Sequence, residues 1–207
     1  MLCATGRGVV DPRDDQDLLR QAPVSGVIAV LGGESTGKTT LSLALAHQLR
    51  QSLDCVVWDE VVWVPEYLRY WCQALQRTPL QQEQAMIAAM QTQWIDYARC
   101  LPETRWVVAD TCSLMTAVYS WHYFGEESLF ESAMRELRHV DAIVLAGDEL
   151  PWCADAGQRS GPEHRTRVQQ RLRSVLRNAG LPWQEVHGPL QHRVMQVLNW
   201  MREIGSA

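Results

Sequence analysis

The stretch Gly32-Gly33-Glu34-Ser35-Thr36-Gly37-Lys38-Thr39-Thr40 carries the clearest chemistry in the chain. Gly32, Gly37, Lys38 and Thr39 fit the spacing G-x-x-x-x-G-K-[ST], a loop whose backbone N–H groups wrap a phosphate chain. Glycine is needed because side chains would obstruct so tight a turn. The helix that follows directs its positive dipole end at the same anion. The Thr39 hydroxyl would be offered to a Mg²⁺ ion, which would neutralise phosphate charge. Lys38 is the only lysine in a chain that otherwise uses arginine for its basic residues. A compact ammonium on a slim stem fits between two phosphates where a planar guanidinium does not. The motif predicts a nucleoside triphosphate site, and the lack of a guanine-reading N/TKxD pattern leans toward ATP.

A phosphate loop specifies the nucleotide and not its fate, so the residues facing the γ-phosphate decide the reaction. Asp110 closes the apolar run WVVAD, at the sheet end where ligands bind. A carboxylate there can hold a Mg²⁺-bound water or take a proton from a substrate hydroxyl. The plainer role is a helix N-cap, which Thr111 or Ser113 would fill equally well. Glu66, Tyr67 and Arg69 follow another strand, on the same side. Pro65 sets Glu66 in a first helical turn, where a carboxylate is welcome on electrostatic grounds alone. The functional alternative is a base or a ligand for a sugar hydroxyl, with Asp59 and Glu60 as rivals. Of nine tryptophans most belong to packing, while Tyr67, Trp71 and Trp121 border the expected acceptor pocket and could supply a stacking pair.

Asp155, Arg159, Arg165, Arg167 and Arg171 form a second cluster, in or just after a stretch containing glycine and proline. A mobile arginine can stabilise charge on a moving γ-group while excluding water, and Arg159 is the favoured candidate. Arg173 and Arg177 read as a solvated helix face. His122, His164 and His192 lack metal-ligand partners at suitable spacing, so no zinc site is expected.

The elements that position these residues alternate. SGVIAVLG is a strand stopped by glycine. KTTLSLALAHQLRQ places Leu41, Leu45 and Leu49 at helical spacing. DCVVWDEVVWV reads as a second strand region, EYLRYWCQALQ as a helix, and 80–99 as a long helix rich in glutamine and alanine. RWVVADT, DAIVLAGD and PWQEVHG are further strands. Helices are expected over 114–124 and 129–139, over EHRTRVQQRLRSVLRNAG with its terminal glycine, and over 193–204. This pattern predicts an α/β fold with a parallel sheet of about five strands covered on both faces, and a lid after the fourth. Residues 1–23 read as a polar arm and 24–207 as one domain.

Composition narrows the function. With 46% hydrophobic and 21% charged residues, a 207-residue chain can build a sizeable core. A net charge of −5 and no basic tail argue against gripping a nucleic acid backbone. The apolar runs fall far short of the roughly 20 residues that a membrane helix needs, and no signal peptide is evident. Six dispersed cysteines without a C-x-x-C pair suit reduced thiols in the cytoplasm. Oligomeric state is not encoded in any pattern of this kind.

Taken in order, GGESTGKTTL, VPEYLR, ADT and LPWCADAGQRS resemble the ribosylnicotinamide kinase domain of the bacterial NAD-biosynthesis regulator, and the wider AAA-type ATP-binding family grouped with it. The resemblance spans roughly 26–200. It implies a P-loop kinase fold close to the nucleoside and nucleotide kinases, ATP as phosphate donor, and nicotinamide riboside as acceptor. Position by position, it implies that Gly32 to Thr40 bind ATP and Mg²⁺ and that Asp110 sits beside acceptor and metal. Glu66 and Arg69 would line the acceptor side, and Arg159 would belong to the lid. One departure is Cys112, where the family pattern has a second aspartate. The companion modules of that regulator are not expected in this chain. Two functions remain open at this point: a kinase acting on a ribonucleoside-like small molecule, or a nucleotide-dependent switch or accessory ATPase acting through a protein partner.

Overall fold

The computed structural model describes residues 25–52, 60–153 and 161–205. The arm at 1–23 and the candidate residues Asp59, Asp155 and Arg159 lie outside the described residues.

The β-branched run Gly26–Leu31 forms β1, and every residue in it after Gly26 is buried, as expected of a strand covered on both faces. Lys38–Ser52 follows as α1, then Val61–Val64 as β2, Tyr67–Leu75 as α2 and Gln84–Arg99 as α3. Trp106–Asp110 is β3, followed by α4 (Ser113–Phe124), α5 (Leu129–Leu137) and β4 (Ala142–Ala146). The chain ends with α6 (Pro162–Ala179), β5 (Trp183–Val186) and α7 (Leu190–Gly205). The sheet order is β2-β3-β1-β4-β5, and every pairing is parallel.

Because strand side chains alternate between faces, β1 feeds two cores. Val27, Ala29 and Leu31 pack with Leu114, Val118, Leu137, Val168 and Leu172 from α4, α5 and α6. Ile28 and Val30 pack on the opposite face with Leu41, Leu45, Val194 and Val197 from α1 and α7. The Leu41, Leu45 and Leu49 stripe expected to face the core does so.

Several boundaries differ from the sequence expectation. The 80–99 helix opens with one 3-10 turn, Gln81–Glu83, because the Glu83 carboxylate accepts the Leu80 N–H at 2.7 Å and pairs with Arg77 at 2.6 Å. Among the described residues the second strand is only Val61–Val64. The closing helix starts at Leu190 rather than Arg193, since the Arg193 amide bonds back to the Pro189 carbonyl at 3.1 Å.

The sheet places the site. β1 lies between β3 and β4, so the chain leaves β1 where the strand order reverses, the point at which open α/β sheets bind ligands. In register, Val30 sits opposite Asp110 and Leu31 opposite Leu145. The C-terminal ends of β1, β3 and β4 therefore share one edge.

Candidate active site

The turn from Gly32 to Lys38 is built as a cradle. Gly37 takes φ 77°, a left-handed value that favours glycine. A Cβ at Gly32 would lie 2.6 Å from the Thr36 hydroxyl, which donates to the Gly33 carbonyl at 2.8 Å. Gln169 of α6, fully buried, accepts the Gly33 N–H at 3.0 Å and donates to the Ala146 carbonyl at 2.9 Å. That side chain ties the loop's entry to the end of β4. Lys38 opens α1 and is itself buried, where the first-turn amides of a helix have no partner within it.

The acceptor side faces this cradle. The Lys38 ammonium lies 3.5 Å from the Glu66 carboxylate, and both side chains are 7% exposed. Glu66 is not in the first helical turn, as the sequence suggested, but at the N-cap of α2 in an extended conformation, and it caps nothing. The capping is done by Gln91 of α3, whose carbonyl oxygen accepts the Tyr67 N–H at 2.7 Å. With the helix end satisfied from elsewhere, the Glu66 carboxylate is left to face Lys38 and Arg69, the latter at 3.8 Å. The other end of Gln91 donates to the carbonyls of Pro65 and Thr111, so one amide fixes both turns that carry the acceptor-side acids.

Asp110 ends β3 and is 1% exposed. Burial pushes its carboxyl above the ordinary range. The Lys38 charge and a hydrogen bond from the Thr39 hydroxyl pull the other way, and Glu66 adds to the rise. Its Oδ1 is buried without a hydrogen-bond partner. Thr111, immediately after, has φ 86° and a buried hydroxyl that is also unpartnered. A β-branched residue at such a φ is strained, and the strain falls at the turn that points Asp110 into the cradle. Burial, then Glu66 and Glu34, push the Tyr119 phenol well up, so that hydroxyl keeps its proton.

This set suits a hard cation. An unpartnered buried carboxylate oxygen next to a hydroxyl is an all-oxygen donor pair of the kind Mg²⁺ selects. No described group of three or more His, Cys, Asp or Glu side chains forms a self-sufficient metal cage.

A family model described as an AAA domain, AAA_28, matches residues 27–193. The chain belongs to that family. No curated protein matches this AAA domain. Among solved structures, it is similar to the NadR protein in complex with NR. That match has TM-score 0.70 and 19% identity, covering 92% of this chain and 56% of the other. It is also similar to the NadR protein in complex with NAD and AMP-PNP, with TM-score 0.65, 18% identity, and 93% and 59% coverage. The thymidylate kinase from Ehrlichia chaffeensis gives TM-score 0.64 and 17% identity, covering 86% of this chain and all of that one. The chain thus spans less than two thirds of the NadR chains' length. At such identities the likeness is one of fold: the P-loop fold of nucleoside and nucleotide kinases.

Within this AAA domain, Gly32 to Thr40, Glu66, Arg69 and Asp110 converge on the β1 and β3 ends. Tyr67 borders them, but its ring packs edge-on against Trp94 at 4.9 Å. Trp71 is buried with Cys72 and Ile87 in a separate cluster, and Trp121 carries the Arg171 guanidinium at 4.8 Å. Trp71 is therefore enclosed, and one face of Trp121 is already covered. Arg171 is held between Trp121 and Phe130 and pairs with Glu127, so it braces helices rather than phosphate. Arg173 is not a solvated face residue: Glu185 and Asp148 pair with it at 2.6 and 2.7 Å. Arg165 donates to the Leu150 carbonyl at 2.8 Å, with its stem against Gly33. Cys112 is a core thiol that burial pushes up to about 12. Among the described residues, no helix is long and apolar enough to cross a membrane.

Sequence reasoning missed Gln91, Gln169 and Arg193. Arg193 is 2% exposed and bonds the Thr36 carbonyl inside the phosphate loop. Each is a polar residue on a helix, and nothing in local spacing distinguishes it from a solvated neighbour.

Proposed function

We propose that this protein is a Mg²⁺-dependent small-molecule kinase that transfers the γ-phosphate of ATP to a hydroxyl of a ribonucleoside of the nicotinamide riboside type. The observation that carries the reading is the convergence of two buried acids, Glu66 and Asp110, on Lys38 at the mouth of the phosphate loop. Together with Arg69 beside Glu66, they supply polar groups for an acceptor as well as for the nucleotide. The fold relatives support the acceptor class: NadR in complex with NR, and a thymidylate kinase. The P-loop motif and the NadR complex with AMP-PNP support ATP as donor.

In this reading the loop amides and Lys38 hold the β- and γ-phosphates in line with the acceptor. The acceptor hydroxyl oxygen attacks the γ-phosphorus, the bond to the bridging oxygen breaks, and ADP departs. Asp110 takes the hydroxyl proton. Glu66 and Arg69 orient the sugar, and Tyr67 lines its entry. Thr39 and Asp110 would hold Mg²⁺, which when bound neutralises charge on the phosphate oxygens. Arg159, outside the described residues, is assigned to the lid on the family resemblance, and Asp155, from the same stretch and also outside them, to the acceptor side. The protein is expected to act in the cytoplasm, in NAD biosynthesis.

An ATP-consumption assay with a nucleoside panel tests this, with products identified by mass. Stimulation by one nucleoside, with a phosphorylated product, supports the kinase. Equal slow hydrolysis with every nucleoside would replace it by an accessory ATPase or switch working through a protein partner.

A further inference from the structure

Among the described residues Arg193 is the largest fully buried side chain, and it is charged. Burying a guanidinium is costly unless each donor is answered. Here three donors are answered from three different parts of the chain. Nε donates to the Gly188 carbonyl at 2.8 Å, Nη2 to the Glu149 carboxylate at 2.7 Å, and Nη1 to the Thr36 carbonyl at 2.7 Å. Glu149 also accepts the Gly188 N–H at 2.7 Å and faces His187 at 3.2 Å. The fork therefore joins the turn after β5, the turn after β4 and the phosphate loop.

The contact at Thr36 is the informative one. A trans peptide is planar, with its C=O and N–H pointing in opposite directions. Fixing the Thr36 carbonyl toward α7 consequently fixes the Gly37 N–H in the opposite direction, within the same Thr36–Gly37 plane. Gly37 supplies the left-handed φ that this orientation requires. Space is also limited there: a Cβ on Gly37 would meet Leu150 at 3.1 Å and Arg193 Nη1 at 3.9 Å. Gln169 of α6 fixes the loop's other end at Gly33. Since α6 and α7 lie on opposite faces of the sheet, the loop is braced from both layers.

We infer that Arg193 is a positioning residue of the nucleotide site, orienting the Thr36–Gly37 peptide so that its amide serves the phosphates. This rests on the nucleotide-binding reading above and adds a residue that the P-loop motif does not contain. A planar three-way fork is required, so lysine cannot replace it: an ammonium can reach one of these acceptors but cannot answer all three in this geometry.

Calorimetry of Mg·ATP binding to the whole chain tests the inference, because it separates affinity from the fraction of competent protein. In Arg193→Met the Kd is expected to rise by about tenfold or more, the size of one hydrogen bond involving a charged group, with stoichiometry near that of the parent. Arg193→Lys should fall between the two. If Arg193 only stabilises the fold, stoichiometry or melting temperature will drop while Kd stays within about threefold, and the inference is overturned. Should Arg193→Met not fold, Arg193→Lys decides by the same criterion: a clear rise in Kd supports the inference and an unchanged Kd overturns it. Parent protein that takes up no ATP would instead refute the nucleotide-site reading itself, before any variant is compared.

Discussion

Replacing Asp110 by asparagine exchanges one oxygen for nitrogen and removes one buried charge, with almost no change of shape. The structure predicts opposite consequences for activity and stability. Asp110 is 1% exposed, with one carboxylate oxygen unpartnered. Its proton affinity is raised by burial, an effect that Lys38 and the Thr39 hydroxyl only partly offset. As the proposed base, its loss should lower phosphoryl transfer by about 10²–10⁴-fold, equivalent to about 3–5 kcal/mol of barrier. For stability the sign reverses. The folded carboxyl holds its proton more tightly than the unfolded one, so the wild type loses stability as pH rises from the ordinary value of 3.8 through the raised value. Asparagine has no such loss. The two proteins should melt alike in strong acid, and Asp110→Asn should gain on the wild type as pH rises toward neutrality. Coupled-enzyme turnover with the stimulating nucleoside, and thermal melts from acid to neutral pH, measure the two effects. A variant that turns over at the wild-type rate, or one that loses stability relative to wild type as pH rises, refutes the reasoning.

Two further expectations follow from the bracing of the loop. Gln169→Leu leaves the Gly33 amide and the Ala146 carbonyl buried without partners, a cost of about 2–6 kcal/mol. Calorimetric melting should register it, at roughly 2–4 °C per kcal/mol for a chain of this size. Glu149 is the second: its burial raises proton affinity, but the Gly188 amide, Arg193 and His187 outweigh that and bring the carboxyl down to about 2. A depressed carboxylate contributes stability above its ordinary value of 4.5, lost as pH falls toward about 2. Glu149→Gln should therefore flatten the acid limb of a circular-dichroism pH titration over that window. The effect is tempered by the solvent that reaches this partly exposed side chain.

The parts of this fold legible in the sequence are those whose chemistry is local. Gly32 to Thr39 announces itself because a phosphate cradle needs particular residues at fixed offsets along one turn. The β1 run and the Leu41, Leu45 and Leu49 stripe are legible because burial imposes a period. Asp110 and Glu66 could be suspected from their place at the ends of strands. What escaped is the non-local polar bonding. Gln91 relieves Glu66 of capping from 25 positions away, and the Gln169 and Arg193 contacts with the loop span 136 and 157 positions. Gln91 lies among several glutamines of similar surroundings in the sequence, and only the packing of α3 on the sheet selects it. The tryptophans mislead for the same reason. Trp71 is a stacking candidate by its place in the sequence, yet it is enclosed with Cys72 and Ile87, while Trp94, not singled out by the sequence, meets Tyr67 beside the acceptor side.

The account rests on the cradle closing around a triphosphate, and titration of Mg·ATP into the folded chain measures this most directly. One binding event per chain is predicted, abolished or severely weakened in Lys38→Met, since Lys38 is the single ammonium placed at the loop. Folded wild-type protein that binds no purine triphosphate in the presence of Mg²⁺, or a Lys38→Met variant that binds as well as wild type, would contradict it.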